Sequence, residues 1–399
     1  MSAPLRRTRG DLAAAATIAA GSLALVGAAY FSAPIRSAEL APAAEERESV
    51  ASLSTPPQTL SESFRLPDTS PGIAPVIAEG LIITHADDTL TATSPDGETV
   101  WTYRRDRQLC ALGEAWGKVV ATYRGNAGCG DVVAIDALSG EYAGTRASVA
   151  PDHVTSLGSN DRQGYWSPER AELWRSDLVR TVEYGRVEAP QESDMQPNQC
   201  TITSALTRKE LLAVTEQCDD GSWLRLQKAT PEDSRKPEID ANIPIPSGAY
   251  LVAVSPDGAA VVDPTAGEVQ AYDKEGNGTA VSPVLAPTGA ASTTGTTGTT
   301  SDLPHHMSYY EDGTLFLFEP GDLALTGSFA DAAGPGVAAG DRLLFATADG
   351  VAVANWDSTQ VETVIPVNRG GYTGSIGLGS AGDAVVEKRD GEVVVLAAR

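Results

Sequence analysis

The chain has 399 residues and a formal net charge of −24, because 53 acidic residues outnumber 29 basic ones. Residues 1–31 carry a net charge of +2, so the rest of the chain carries −26. A domain this acidic repels nucleic acid and anionic lipid head groups, which excludes both as partners of the domain. The 39 glycines and 25 prolines favour a fold with many short strands and many turns.

The first predicted element is a membrane-spanning helix at Leu12–Phe31, a run of 20 residues without charge. Twenty helical residues span about 30 Å, the thickness of the hydrocarbon core of a bilayer. Three arginines precede the run, which places residues 1–11 in the cytoplasm and the following chain outside. A signal peptide cleaved after Ala28 is the alternative. The run continues past Ala28 to Tyr30 and Phe31, and aromatic residues there suit a retained anchor at the membrane interface.

Residues 32–61 are rich in Ala, Ser, Pro and Glu. This composition cannot bury a core, so the sequence predicts a flexible linker. Residues 62–399 follow as one extracytoplasmic domain, long enough for a large core.

The four cysteines form two local pairs in the sequence, Cys110 with Cys129 and Cys200 with Cys218. Thiols oxidise outside the membrane, and an even count supports disulfides. We therefore predict the bonds Cys110–Cys129 and Cys200–Cys218, each worth about 3 kcal/mol in the chain-entropy model. A zinc site is the alternative, but the chain has no C-x-x-C spacing and its four histidines lie elsewhere.

A unit recurs along the domain: an Asp-Gly or similar turn, a short aliphatic strand, a turn with Gly, and another strand. The period is close to 40 residues, and two further strands precede each marked one. The eight copies begin near Asp88, Asp131, Ala171, Asp220, Asp257, Asp312, Asp349 and Asp390.

Four short strands in a period near 40 residues are typical of a β-propeller. We therefore predict an all-β propeller, with eight blades favoured and seven as the alternative, because the units between 145 and 245 are poorly defined. The chain ends after the third strand of the last unit, and Glu62–Leu66 is predicted to supply the missing fourth strand. Such closure removes an open sheet edge.

The motif around residues 87–101, which ends in Gly97-Glu98-Thr99-Val100-Trp101, resembles the repeat of PQQ-like (quinoprotein-type) propellers. The likeness points to the membrane-anchored propellers of this type in bacterial, in particular actinobacterial, envelopes. It implies a blade geometry in which Gly makes the turn and Trp packs between blades, and it implies no chemistry. Quinoprotein dehydrogenases of similar fold carry a vicinal disulfide beside the cofactor, whereas this chain has no adjacent cysteines.

Candidate chemical motifs each have a plainer structural interpretation. Gly377–Gly382 matches G-x-G-x-x-G, but a strand pattern follows it and not the helix that a nucleotide site needs, so its glycines are interpreted as turn residues between blade strands. His305-His306 could suggest a metal site, but neighbouring residues on a strand point to opposite faces and seldom bind one ion. We therefore interpret the two histidines as an exposed loop pair. Asp87-Asp88 and Asp219-Asp220 suit turns. Pro287–Ser301, rich in Thr and Gly, is predicted to be a flexible surface insertion.

These patterns predict no catalytic residue, no metal ligand and no cofactor. The favoured function is a membrane-tethered binding or scaffolding propeller that docks a protein, peptide or glycan of the cell envelope. The alternative is an enzyme, quinoprotein-like or other, with its site in the central funnel. Converging acids, an arginine and an enclosed pocket of a few hundred cubic ångströms in the channel would favour the enzyme, and a plain water-filled funnel would favour binding.

Overall fold

The computed structural model describes residues 8–45, 47–187, 195–197, 200–284 and 298–398. Helix α1 (Arg9–Ser32) begins with a capping box, in which the Thr8 hydroxyl accepts from the Asp11 N–H and the Asp11 carboxylate accepts from the Thr8 N–H. With a mean hydropathy of 1.9 and no buried residue, this helix is long and apolar enough to cross a membrane. A short 3-10 helix, Pro34–Ser37, follows.

Two strands precede the ring in sequence and join its rim: β1 (Glu39–Ala41) and β2 (Leu60–Pro67). Blades 1 to 4 follow. Blade 1 contains β3 (Val76–Ala78), β4 (Leu81–Ala86), β5 (Thr89–Thr93) and β6 (Thr99–Arg104), and blade 2 contains β7 (Leu109–Ala115), β8 (Lys118–Gly125), β9 (Gly128–Asp136) and β10 (Tyr142–Ala147). Blade 3 contains β11 (Thr155–Ser159), β12 (Arg162–Trp166), β13 (Arg170–Trp174) and β14 (Arg180–Gly185), and blade 4 contains β15 (Thr201–Arg208), β16 (Leu211–Cys218), β17 (Gly221–Lys228) and β18 (Ile239–Ile245).

Blades 5 to 8 complete the ring. Blade 5 contains β19 (Tyr250–Ser255), β20 (Gly258–Asp263), β21 (Glu268–Asp273) and β22 (Gly278–Pro283), and blade 6 contains β23 (Thr299–Asp302), β24 (Met307–Glu311), β25 (Thr314–Phe318) and β26 (Leu325–Phe329). Blade 7 contains β27 (Val337–Ala339), β28 (Arg342–Thr347), β29 (Gly350–Asn355) and β30 (Gln360–Pro366), and blade 8 contains β31 (Gly377–Ala381), β32 (Ala384–Arg389) and β33 (Glu392–Ala398). The prediction of an eight-bladed all-β propeller is confirmed.

The ring has two different faces. Strands within each blade are antiparallel, so the turns between first and second strands and between third and fourth strands lie at one end of the blade. We call this end the strap face. The turns between second and third strands and the connections between blades lie at the other end, which we call the loop face. The loop face carries long connections between blades, among them residues 68–75, 148–154 and 367–376.

The ring is closed by strand β2, which pairs with β33 as the outer strand of blade 8. The predicted latch at Glu62–Leu66 is thus confirmed and extends from Leu60 to Pro67. Just beyond it, the buried Lys388 ammonium donates to the Ser70 carbonyl at 2.8 Å and lies 3.0 Å from the Asp68 carboxylate. This ion pair joins the connection after the latch to blade 8.

The segment predicted as a flexible linker, residues 32–61, differs from that prediction. Strand β1 pairs with β6 as a fifth strand of blade 1. The following residues, 42–45 and 47–59, which we call the strap, then cross the strap face. The Ala43 N–H donates to the Ser139 carbonyl in blade 2, the Val50 N–H donates to the Glu79 carbonyl in blade 1, and Leu53 accepts from the Gly340 N–H in blade 7.

The strap has one apolar side chain that fixes it to the ring. Leu53 is only 7% exposed and packs in the core shared by blades 7 and 8. The amino-acid composition of the segment does not predict this contact, because one leucine is enough to dock a segment whose other residues are small or polar. Six residues separate the end of α1 from β1, a distance of about 25 Å at full extension. The ring is therefore attached close to the helix.

Adjacent blades pack through large side chains, as the repeat implied. Trp101 is 1% exposed, and its indole N–H donates to the Ala137 carbonyl of blade 2 at 2.8 Å. A Cβ at Gly140, where φ is +70°, would lie 2.6 Å from the Trp101 side chain, so glycine is required on both counts. Tyr103 and Tyr123 meet edge to face across the same junction.

One copy of the repeat occupies a different position from the one predicted. Asp257-Gly258 was expected to open a third strand, but Gly258 begins β20, the second strand of blade 5. The preceding strand β19 is buried throughout and is the first of its sheet. The additional strand β22 then fills the outer position. The hydrophobic pattern alone does not distinguish these two registers.

Both predicted cysteine pairs are bonded in the structure. Cys110 of β7 joins Cys129 of β9, with their Cα atoms 6.0 Å apart. Cys200, just before β15, joins Cys218 at the end of β16, with Cα atoms 4.6 Å apart. Each bond thus lies within a single blade.

Candidate binding site

The first strands of blades 1, 2, 3, 4 and 6 line a central channel of about 650 Å³. Small and hydroxyl side chains dominate its wall. The Gln163 amide inserts between two of these strands, at Gly113 and Gly158, where a Cβ would collide with it. Gln163 is 4% exposed, and its Oε1 has no hydrogen-bond partner among the described residues.

Two carboxyl groups give the channel its charge. Asp302 of blade 6 pairs with Arg208 of blade 4 at 2.9 Å. Burial raises the pKa of Asp302, although Arg208 opposes this shift. Burial, reinforced by the nearby Glu79, likewise raises the pKa of Glu114 on blade 2. Among the described lining residues there is no histidine, lysine or free thiol to complete an acid–base or nucleophilic set.

A cleft opens beside the channel between blades 8 and 1. Its volume is about 670 Å³, and it is lined by the connection 68–73, by residues 372–375, and by the turn after β32. The buried Lys388 forms part of its wall, but Asp68 and Ser70 already hold the ammonium. This cation is therefore structural. It keeps the wall of the cleft in place.

A larger cleft of about 970 Å³ lies between blades 2 and 3. Apolar groups line it, including Pro151, Pro168 and Val149, the last 43% exposed. Asp152 and Glu169 add two exposed carboxylates. The Cys110–Cys129 bond fixes one side, because the Cys129 N–H donates to the Pro151 carbonyl at 2.9 Å.

The three cavities adjoin one another. The channel and the first cleft share the lining residues Gly72 and Ile73, and the channel and the second cleft share Val154, Thr155 and Trp166. They lie side by side from the 8/1 junction to the 2/3 junction, and we call the three together the loop-face trough. Its length and its mixed apolar and acidic lining suit an extended ligand.

The structure places the sequence-predicted residues as follows. Gly377–Ala381 forms β31, and strand β32 follows, so a strand does follow the motif as predicted. Only Gly382 lies in a turn, whereas Gly377 and Gly379 lie inside the strand and not in the turns predicted for them. Asp87 and Asp88 occupy a turn with φ of +47° and +62°. Of Pro287–Ser301, residues 287–297 lie outside the described residues, and Thr299–Asp302 forms the first strand of blade 6 instead of a surface insertion.

The histidine pair is not the exposed loop pair that was predicted. His305 is exposed, but His306 is 8% exposed, and both rings lie against Trp356 in the neighbouring blade. Both residues belong to a turn, so the alternation of side chains along a strand does not apply to them. In the described part of the chain, one group of three metal-type ligands converges within 4.8 Å, namely Cys200, Glu216 and Cys218. Its two sulfurs are joined in a disulfide.

Sequence reasoning missed the trough and the strap. The trough arises from the order of blades around the ring, which brings residues about 80 positions apart to one surface. One feature of the sequence could have predicted that the strap docks on the ring. Val50 and Leu53 are isolated large apolar residues in a segment that has few others.

No protein-family model and no curated protein matches the sequence. Solved structures share the fold. BamB from Moraxella catarrhalis is 14% identical with a TM-score of 0.50, over 85% of this chain and all of that chain. The dihydro-heme d1 dehydrogenase NirN, solved in complex with DHE, is 13% identical with a TM-score of 0.54, over 86% of this chain and 79% of that one. Sqt1 from Saccharomyces cerevisiae is 12% identical with a TM-score of 0.52, over 87% and 100%.

Proposed function

We propose that this chain is a membrane-tethered, extracytoplasmic binding propeller whose loop-face trough takes an extended segment of a protein or peptide of the cell envelope. The observation that carries the proposal is that the three cavities of the trough adjoin through shared lining residues. Strand β1 enters the rim from the loop-face end of blade 1, because Glu39 pairs with Arg104 at the end of β6. The segment that leads to the membrane therefore meets the ring at the edge of the loop face, outside the trough.

The membrane part of the proposal depends on α1 and on the disulfides. The helix is long and apolar enough to span a bilayer, and three arginines precede or begin it. Two disulfides suit an oxidising compartment. We propose a retained single-pass anchor with residues 1–11 in the cytoplasm. If a peptidase instead removed the segment after Ala28, intact-mass measurement would show the shorter chain.

A binding role is favoured over a catalytic one by the chemistry of the trough. The raised pKa values of Asp302 and Glu114 have burial as their main cause, and no described residue that lines the channel beside them is a histidine, a lysine or a free thiol. The fold leaves the choice open, since NirN, one of the similar structures, is a dehydrogenase. The wall chemistry, and not the fold, supports binding.

Site-specific photo-crosslinking tests this proposal on the full chain in cells. Benzoylphenylalanine replaces Val149 in the trough or, as a matched control, Val361 on the outer strand of blade 7. The two valines are similarly exposed, at 43% and 46%. We expect a discrete adduct from position 149 only. Thr155→Trp, which fills the junction between channel and cleft, should abolish that adduct.

Two results would contradict the proposal. Adducts of the same mass from positions 149 and 361 would show non-specific contact. No adduct from position 149, together with a quinone absorbance in the purified chain, would favour the enzymatic alternative.

A further inference from the structure

The charges along the trough are not balanced. Six carboxyl groups line it, and four of them, Asp68, Asp152, Glu169 and Asp302, each lie within 3.3 Å of a lysine or arginine nitrogen. The two cations among the described lining residues, Lys388 and Arg389, are each engaged with a carboxylate. The remaining carboxyl groups, Asp390 and Glu114, make no ion pair within the described ranges. Asp390 is exposed, whereas Glu114 is half-buried in the channel, so Glu114 is the group that lacks a cation.

A second carboxylate makes the surroundings of Glu114 more negative. Glu79 of blade 1 makes no ion pair with a described residue either. Burial, and then Glu79, raise the pKa of Glu114, and the Gly117 N–H opposes them. A Cβ at Gly117 would lie 3.0 Å from the Glu79 Oε1, so both carboxyl groups face the same turn of blade 2. Because an opposite charge favours the ionised form of a carboxyl group, a cation supplied by a ligand would be held here.

The side chain of Gln163 reaches the channel beside Glu114. Strand β12 is the second strand of blade 3, so β11 separates its backbone from the channel, and the side chain is the part of Gln163 that lines the wall. Its Nε2 occupies the space of a Gly113 side chain, 1.6 Å from where a Cβ would lie. Gln163 is 4% exposed, and its Nε2 donates to no described residue. Gly113 directly precedes Glu114 in β7, so the channel offers a hydrogen-bond donor and an unpaired carboxylate one residue apart.

The dimensions of the channel restrict what can reach Glu114. Leu109 begins β7 at the loop-face end, and Glu114 lies five residues further along, at a depth of about 17 Å. The 7 residues of β7 extend over about 24 Å, so a volume of about 650 Å³ corresponds to a mean cross-section of about 27 Å². A helix is about 10–12 Å across and does not fit. A single extended chain of about five residues covers this depth.

We propose that the channel takes the N-terminus of the segment that binds in the trough, with its α-ammonium paired to Glu114 and a main-chain carbonyl accepting from the Gln163 Nε2. This inference rests on the proposed function and names the end of the partner chain that is bound. An α-amino group has a pKa of about 7.7–8.0, so it is charged near neutral pH. A chain end that enters an acidic, narrow channel combines the capture of an N-terminal amine with a hydrogen bond to the main chain.

The test uses the full chain in detergent micelles and two mixtures of random octapeptides that carry fluorescein at the C-terminal end. One mixture has free N-termini and the other has acetylated N-termini. Recognition through the ammonium and the main chain does not depend on sequence, so each mixture acts as one ligand. Fluorescence anisotropy at pH 7.0 and 50 mM NaCl should show that the free mixture binds at least tenfold more tightly than the acetylated one. The preference should diminish as the salt concentration rises.

Two substitutions assign the binding to the channel. Glu114→Gln should remove the preference for free N-termini, and Glu275→Gln, in the exposed turn between β21 and β22, is the matched control that should keep it. Gln163→Met should weaken the binding of both mixtures, because it removes the contact with the main chain. Gln227→Met replaces an equally buried amide on β17, outside the trough, and should leave the affinities unchanged.

The inference is overturned if the two mixtures bind equally, if neither binds at 1 mM peptide, or if the preference survives Glu114→Gln. It is also overturned if Gln163→Met binds as tightly as Gln227→Met. An adduct from position 149 together with any of these results leaves the proposed function standing and removes only the assignment of the N-terminus. Failure of that adduct as well removes both.

Discussion

Leu53 offers the sharpest test of how the ring is attached. The side chain is 7% exposed in the core of blades 7 and 8, and Leu53→Ala removes three carbons from it. At about 0.8 kcal/mol per buried carbon, the loss is about 2–3 kcal/mol. A cavity term adds little, because the strap can settle into the space that the substitution leaves. The change should act on strap docking and not on the blades.

The assay is limited tryptic cleavage after Arg47, which lies in the strap between the hydrogen-bonded Ala43 and Val50. When opening and closing are fast, cleavage follows the open population. A loss of about 2–3 kcal/mol raises that population about 30- to 150-fold, so the initial rate of cleavage should rise by the same factor. Val361→Ala, at a side chain 46% exposed, is the control and should change the rate less than threefold. If the Leu53→Ala chain is cleaved no faster than this control, the strap is not docked on the ring. The prediction of a flexible linker would then be correct.

Three further changes test the latch, the disulfides and the buried histidine. Lys388→Met leaves the Asp68 carboxylate buried without its cation, so we expect a loss of about 3–5 kcal/mol in chemical denaturation, and adding Asp68→Leu should recover part of it. Replacing both Cys110 and Cys129 by Ala should cost about 3 kcal/mol, and a loss below 1 kcal/mol would show that the bond constrains little. Burial lowers the pKa of His85 in the folded chain below the usual 6.5. As the pH falls, the unfolded chain therefore binds this proton before the folded chain does. The contribution of His85 to the free energy of unfolding is complete above pH 6.5 and is lost as the pH drops through the folded pKa. The melting temperature should therefore fall further between pH 7.5 and 5.5 in the parent than in His85→Gln, and equal falls would contradict the reasoning.

The architecture was predictable because each blade repeats one local pattern. Asp-Gly turns and aliphatic strands recur at a constant spacing, and the unfinished last unit pointed to the latch. The register of blade 5 was not predictable in this way. Its first strand is as apolar as a second strand, and only the position of β19 in the ring decides the assignment.

The candidate sites depend on contacts between blades, which no local pattern specifies. Thr155 and Ile73 line one channel because the ring places their blades around a common axis. His306 meets Trp356 for the same reason, across 50 residues of sequence and one blade boundary. A sequence alone shows the histidines as a pair in a loop. The indole beside them follows from the fold.

Hydrogen–deuterium exchange on the full chain, with and without the partner captured at position 149, tests the central claim most directly. The account predicts slower exchange in residues 68–75 and 148–154, which line the two ends of the trough. It predicts unchanged exchange in the strap-face turns at residues 137–141 and 356–359. Protection confined to those turns or to the outer strands, with none in the trough, would contradict the assignment of the loop face as the binding surface.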